Sequence, residues 1–394
     1  MPDLRTRPDV TAPAPRPPQR PGARPRWLFP ALERPADAVA HLTPGWFTCV
    51  MGTGVVANAA VVLPVQVPGQ RAFAAAVWSL AAALLVLLLV ATAAHWLRHP
   101  ATARAHLAHP VVSHTHGAPP MALVTVGAGA LLVGADVVGP HAAVVLGAVL
   151  WGAGTLLGLV CAVVVPCTAF TRREDRPGAV PDGWPVSAGW LVPVVPPMVS
   201  AAAGALLVPH LPDGQARRTL LLVCAAMFGV SLLASLLVLP LLWGRLAHHG
   251  VGAAAAVPAL WLVLGPLGQS VTAAGLLARS GHGALPERFA AVVDAAALLY
   301  GVPLWGFALL WAAVAAVLTA RAVRGGMPFG LTWWSFTFPV GTVVTATSGL
   351  AQRTGLPLLA VAAVAFYGAL LVAWATVAVR TLRGAVDGRL LLPA

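Results

Sequence analysis

From Gly45 onward the chain is a succession of apolar runs, each close to the ~20 residues that an α-helix needs to cross a bilayer. That feature constrains the fold more than any motif does. Only 9% of the 394 residues are charged, whereas a water-facing domain carries about 25%. So few charges cannot cover an aqueous surface of this size, and lipid must be the main solvent. In lipid the backbone has to satisfy its own hydrogen bonds, which leaves helices or a closed barrel. Barrel strands alternate polar and apolar residues, and these runs do not. The reading is an all-α integral membrane protein with ten transmembrane helices, at 45–65, 73–97, 119–139, 141–166, 186–209, 218–243, 257–278, 289–318, 331–351 and 356–381. The break between the third and fourth rests on Gly139-Pro140-His141.

The net charge of +12 comes from arginine alone, with no lysine in the chain. These arginines sit between apolar runs and in the tails, not along one continuous face, so no nucleic-acid partner is expected. The tails and the loops near 98–118, 167–185, 244–256 and 319–330 hold most of them. By the positive-inside rule both termini are then cytoplasmic, in a multi-pass protein of the cell (plasma or inner) membrane. Residues 1–40 lack the hydrophobic core of a secretory signal and read as a disordered, basic Pro/Arg-rich tail. Residues 41–381 form the transport domain and 382–394 a short cytoplasmic tail. Cys49, Cys161, Cys167 and Cys224 show no CxxC spacing, so they read as packing residues, with no metal or cofactor implied.

The ten runs are of two kinds. Odd-numbered runs combine proline with glycine and hydroxyl or amide side chains. The first reads Pro44-Gly45-Trp46-Phe47, then Met51-Gly52-Thr53-Gly54 and Asn58. The third opens on Pro119 and Pro120, and the fifth holds Pro193, Pro196 and Pro197. The seventh carries Pro258, Pro266, Gln269, Ser270 and Thr272; the ninth carries Ser335, Thr337, Pro339, Thr342, Thr345 and Thr347. Even-numbered runs are mostly Ala, Leu and Val, with Pro166 and Pro240 near their ends and Pro303 an exception. A proline inside a helix frees a carbonyl and bends the helix, which is tolerable only against protein or a water-filled cavity. Odd runs therefore read as a proline-kinked inner ring around a central pore, and even runs as its lipid-facing sheath. The prolines recur roughly every 65–75 residues, as five repeated helical hairpins would require.

Three of these motifs resemble one family. Pro44-Gly45-Trp46-Phe47 with Met51-Gly52-Thr53-Gly54, Leu264-Gly265-Pro266-Leu267-Gly268-Gln269 and Trp333-Trp334-Ser335-Phe336-Thr337-Phe338-Pro339 are similar to the first, seventh and ninth helices of the tellurite-resistance/dicarboxylate transporter family. That family includes malate permeases, sulfite efflux pumps and slow-type anion channels. The resemblance implies five hairpins around a pore, a homotrimer, and a phenylalanine on the ninth helix that occludes the pore. By its place in the Thr-Phe-Pro motif that residue is Phe338, with Phe336 the alternative. The motifs lean toward the malate and sulfite branch.

No Arg or His falls in the middle of a proposed span. An anion would then be held weakly by hydroxyls, amides and helix-end dipoles, with arginines at the inner mouths raising its local concentration. Gly52 and Gly54 allow close helix approach or line the pore, and Asn58 and Gln269 serve interhelical bonds or substrate. Asp136 and Asp294 fall near span ends, where a carboxylate reaches water or an arginine. The histidines of 95–116 read as a solvated loop that changes charge near neutral pH. The functional reading is a transporter or channel for small anions: sulfite, chloride or nitrate-type ions, or C4-dicarboxylates such as malate. A proton-coupled dicarboxylate carrier is the alternative. A membrane-embedded enzyme is a remote one, since neither a serine-protease pair nor intramembrane haem ligands appear.

Overall fold

The computed structural model describes residues 29–32, 34–174 and 186–392. Most of the expected N-terminal tail and part of the 167–185 loop lie outside these residues. The described residues form helices and connecting turns, with no strand. In chain order the α-helices are α1 Phe47–Val62, α2 Gln70–Arg98, α3 Pro100–Ala108, α4 Ala118–Gly129, α5 Ala135–Val138, α6 Pro140–Glu174, α7 Pro196–Leu207, α8 Gln215–His249, α9 Leu264–Gly281, α10 Glu287–Arg324, α11 Phe338–Thr354 and α12 Pro357–Val386. A π-helical turn, Ala130–Gly134, joins α4 to α5. Gly139, with φ of 85°, then breaks the chain before Pro140, where the Gly-Pro pair predicted a boundary.

Eight helical stretches among the described residues are long and apolar enough to cross a membrane. The expected spans at 186–209 and 331–351 differ: each is a short α-helix behind an irregular lead-in. Burial divides the long stretches into two sets. The share buried is 83% for Pro44–Val62, 56% for Val112–Val138 and 67% for Ala254–Gly281, against 33% or less for the stretches holding α2, α6, α8, α10 and α12. Nearly all of α7 and most of α11 are buried as well. Packing follows the same division. Five helices close a circuit, α1 on α4, α4 on α7, α7 on α9, α9 on α11, and α11 back on α1. The helix that follows each in sequence packs outside it. Those outer helices expose large side chains such as Leu87, Leu156, Leu237, Leu299 and Leu358. An apolar surface this extensive is stable in lipid and not in water.

The inner prolines stand at helix starts or in the lead-ins before them. Pro119 and Pro120 fall in the first turn of α4, Pro196 and Pro197 open α7, Pro266 is in the first turn of α9, and Pro339 is in that of α11. Pro44 opens a 3-10 turn before α1, Pro193 lies in the turn before α7, and Pro258 is inside the 3-10 stretch Ala254–Val263. Proline suits a first turn because that N–H has no intrahelical acceptor and φ is already helical. The α-helices of the inner set therefore carry their prolines in the first turn and not mid-helix. Mid-helix prolines belong to the outer set: Pro166 in α6, Pro240 in α8 and Pro303 in α10. The outer helices run past their expected ends, which moves Pro166 and Pro240 inward. Described residues also lie before residue 41. Phe29 N–H donates to Val386 O at 2.8 Å and Ala31 N–H to Asp387 O at 3.1 Å, so the start and end of the described chain meet at one end of the bundle.

Glycines set how closely the inner helices approach. A Cβ on Gly268 would lie 2.6 Å from the backbone carbon of Thr342 and 2.7 Å from the nitrogen of Val343 in α11. Backbone atoms cannot swing aside. One built on Gly265, three residues earlier, meets nothing within 4 Å. Gly268→Ala should separate α9 from α11 and cost about 1–3 kcal/mol, read as a lower thermal midpoint in detergent, while Gly265→Ala leaves the midpoint unchanged.

Candidate functional site: two axial cavities and a shared phenylalanine

The five inner helices run parallel, with their N-terminal ends toward the chain termini. Between them lie two cavities. The larger, about 180 Å³, is lined by residues of all five, including Asn58, Thr125, Ala203, Gln269, Thr272, Thr345 and Gly349. The smaller, about 50 Å³, is lined at the termini end by Met51, Met121, Val195, Pro266, Ser335 and Pro339 among others. Phe338 lines both cavities and is 7% exposed. Its ring is the shared wall.

Phe338 reaches this position because it is the first residue of α11, just after the 3-10 segment Leu331–Phe336. Thr337 bridges the two with φ −107° and ψ −76°, its hydroxyl donating to Trp334 O at 2.7 Å. Phe336 belongs to the 3-10 side and points away. Its ring packs edge-on against Trp261 and Trp333, with centroids 5.6 and 5.7 Å away, and lines neither cavity. Of the two candidates, only Phe338 touches the axis.

The remaining candidates divide in the same way. Asn58 and Gln269 both face the larger cavity. Asn58 is also tied to the next inner helix, its Nδ2 donating to Thr125 O at 3.1 Å. The Gln269 amide has no hydrogen-bond partner among the described residues. Pro266 and Pro339 line the smaller cavity. Gly52, Thr53, Gly54 and Ser270 line neither. A Cβ on Gly52 would meet Thr337 and Trp334, and one on Gly54 would meet Thr125, so both glycines serve helix packing. The Thr53 hydroxyl accepts from Trp374 of α12 at 3.1 Å, and buried Ser270 donates to Leu267 O. Pro120 and Pro196 pack near Gly158 of α6. Among the four cysteines, Cys49, Cys161 and Cys224 are buried and Cys167 is exposed.

Sequence reasoning missed the cavity's charges. Arg279 and Arg353 line the larger cavity, at the end away from the termini, whereas the smaller cavity, where arginines were expected, is lined by none. Both residues stand at span ends, and only the closed circuit of helices turns them to one mouth. Asp294 pairs with Arg353 at 2.9 Å and Asp136 with Arg71 through two bonds of 2.5 and 3.0 Å. Neither carboxylate lines a cavity.

With this geometry in view, the comparisons with known proteins are direct. The family profile described as voltage-dependent anion channel, SLAC1, matches residues 41–382. The chain belongs to this family. Among its relatives, the sulfite efflux pump SSU1 of Trichophyton rubrum is 28% identical over 81% of this chain and 84% of its own. That of Arthroderma otae is 28% identical over 80% and 83%. An uncharacterized transporter of Methanocaldococcus jannaschii, MJ0576, is 24% identical over 81% and 86%. The protein is thus a multi-pass membrane protein of a transport family.

At the termini end the histidines are packed more than the loop reading implied. His95 is 2% exposed, its Nδ1 2.7 Å from Val39 O, and its ring stacks on His106 with centroids 5.3 Å apart. Partial burial, then the nearby His95, His116, His41 and His109, hold the pKa of His106 below its ordinary 6.5. The unfolded chain therefore takes up that proton more readily. Stability from this group is complete above about pH 6.5 and falls as the pH drops from there through the lowered folded value. His106→Phe should flatten the slope of thermal midpoint against pH between about 5 and 7; an unchanged slope would assign it to other groups.

Proposed function

We propose that the chain crosses the membrane ten times as five hairpins, with both termini cytoplasmic, and passes small anions along the axis of the inner ring. Phe338 is the gate. The observation that carries this reading is that Phe338 lines both cavities, the larger of them enclosed by all five inner helices. An aromatic side chain across a narrow apolar passage excludes water, and a rotation of that side chain is enough to admit it.

The lining suits weak, multi-site solvation. Above Phe338 stand the Gln269 amide and the Thr272–Thr345 hydroxyl pair, whose oxygens are 2.8 Å apart. Below it lie the N-terminal turns of the inner helices, whose partial positive charge favours anions. Neither cavity is lined by Asp or Glu, which favours uncoupled permeation over proton-coupled carriage. The relatives named sulfite efflux pumps favour a small oxyanion such as sulfite over a four-carbon dicarboxylate.

The test is anion flux in proteoliposomes. Phe338→Ala should raise sulfite and nitrate flux at least about tenfold if the ring is the main barrier, equivalent to about 1.4 kcal/mol, with malate rising least. Phe336→Ala, away from the axis, should leave flux near wild type. A folded Phe338→Ala protein with wild-type flux would remove the gate from this reading.

A further inference from the structure

The arginines at the far mouth have unequal partners. Arg353 of α11, with a side chain 15% exposed, gives Nη2 to Asp294 at 2.9 Å and to Gly275 O at 2.8 Å. Its charge is matched and its guanidinium is held in place. Arg279, in the last turn of α9, is exposed and donates from Nη2 to the neutral Gln352 Oε1 at 3.1 Å. Gln352 in turn donates to Val62 O at 2.9 Å, at the end of α1. Among the described residues no carboxylate pairs with Arg279. Two cations and one anion thus leave one positive charge at the mouth of the larger cavity.

That charge stands against an opposing field. The inner helices are parallel, so their carbonyl ends surround this same mouth, and a helix C-terminus carries about half a negative charge. An anion approaching from this side meets that field before any amide or hydroxyl within. Arg353 is neutralised by Asp294, so Arg279 is the group left to attract it. Its Nη2 is held by Gln352, while the remaining N–H groups of the guanidinium fork have no partner among the described residues, a geometry suited to an oxygen-bearing anion.

We infer that Arg279, oriented by Gln352, is an anion-recruitment site at the mouth opposite the chain termini, selective for small oxyanions by its fork and distinct from the gate at Phe338. The site rests on the anion reading above and adds to it a location and a ligand class.

The test uses full-length protein in planar bilayers, opened by Phe338→Ala, with nitrate supplied from the Arg279 side. Adding Arg279→Gln should lower nitrate conductance about threefold at roughly 0.01 M ionic strength, where charges act over about 30 Å, and leave it near unchanged at about 1 M, where they act over about 3 Å. Arg279→Lys keeps the charge and should restore low-salt conductance, while losing part of the preference for nitrate over chloride that the fork provides. Nitrate supplied from the other side should be affected least. Equal conductance with and without Arg279→Gln at low salt overturns the inference, as does a loss that persists undiminished at high salt, which marks a packing defect. If Phe338→Ala alone carries no anion, the functional reading itself falls and this site with it.

Discussion

In hydrocarbon, a buried indole N–H has to find an acceptor inside the protein, and in this fold the tryptophans of the outer helices find theirs on the inner ring and its lead-ins. Trp78 of α2 donates to Val126 O beside the π turn, at 3.0 Å. Trp151 of α6 donates to Ser200 O at 2.8 Å, and Trp311 of α10 to Leu260 O in a 3-10 stretch at 2.9 Å. Trp305 of α10 and Trp374 of α12 reach the hydroxyls of Thr347 and Thr53. Each such bond is worth about 0.6–2 kcal/mol in a membrane. Their pattern matters more than their sum: α2, α6, α10 and α12 each bond to an inner helix other than the one they follow in sequence, so the sheath holds the circuit closed.

Closure of that circuit is what allows the inner helices to be short and polar. α7 and α11 would make poor isolated spans, yet nearly all of α7 and most of α11 are buried between neighbours and need not satisfy lipid. Burial of the inner ring lets Gln269 and Thr272 of α9 and Thr345 of α11 face the larger cavity, and it lets Gly268 bring α9 against the backbone of α11. Lead-ins of 3-10 geometry place the proline-opened helix ends at one level, near the smaller cavity. The same parallel arrangement sends the C-terminal ends, with Arg279 and Arg353, to the other mouth.

One consequence is a chemically asymmetric axis. Helix N-termini without cavity-lining arginine stand on one side of Phe338, and helix C-termini with two arginines on the other. A passage lined by weak donors alone would offer equal approaches to both ends. Here the two ends differ in charge, with helix N-terminal dipoles at one and a guanidinium among helix C-termini at the other.

Much of this protein was legible in its residues. The scarcity of charge dictated lipid as solvent, Gly139-Pro140 marked a chain reversal, and recurrent prolines marked the inner set, because each of these acts through local backbone or solvation physics. Tertiary structure decided what depends on rotation about a helix axis. Phe336 and Phe338 are two residues apart, but the 3-10 segment turns 120° per residue and the α-helix 100°, and the twisted Thr337 between them sends one ring to the tryptophans and the other to the axis. Gly52 and Gly54 could have packed or lined the pore, and they pack, since Trp334 and Thr337 ahead of α11 and Thr125 of α4 occupy the space around them. Arg279 and Arg353, ordinary span ends in the sequence, share one mouth only because the circuit closes. Sequence fixes which groups are present; the faces they share follow from packing between segments hundreds of residues apart, which no local preference encodes.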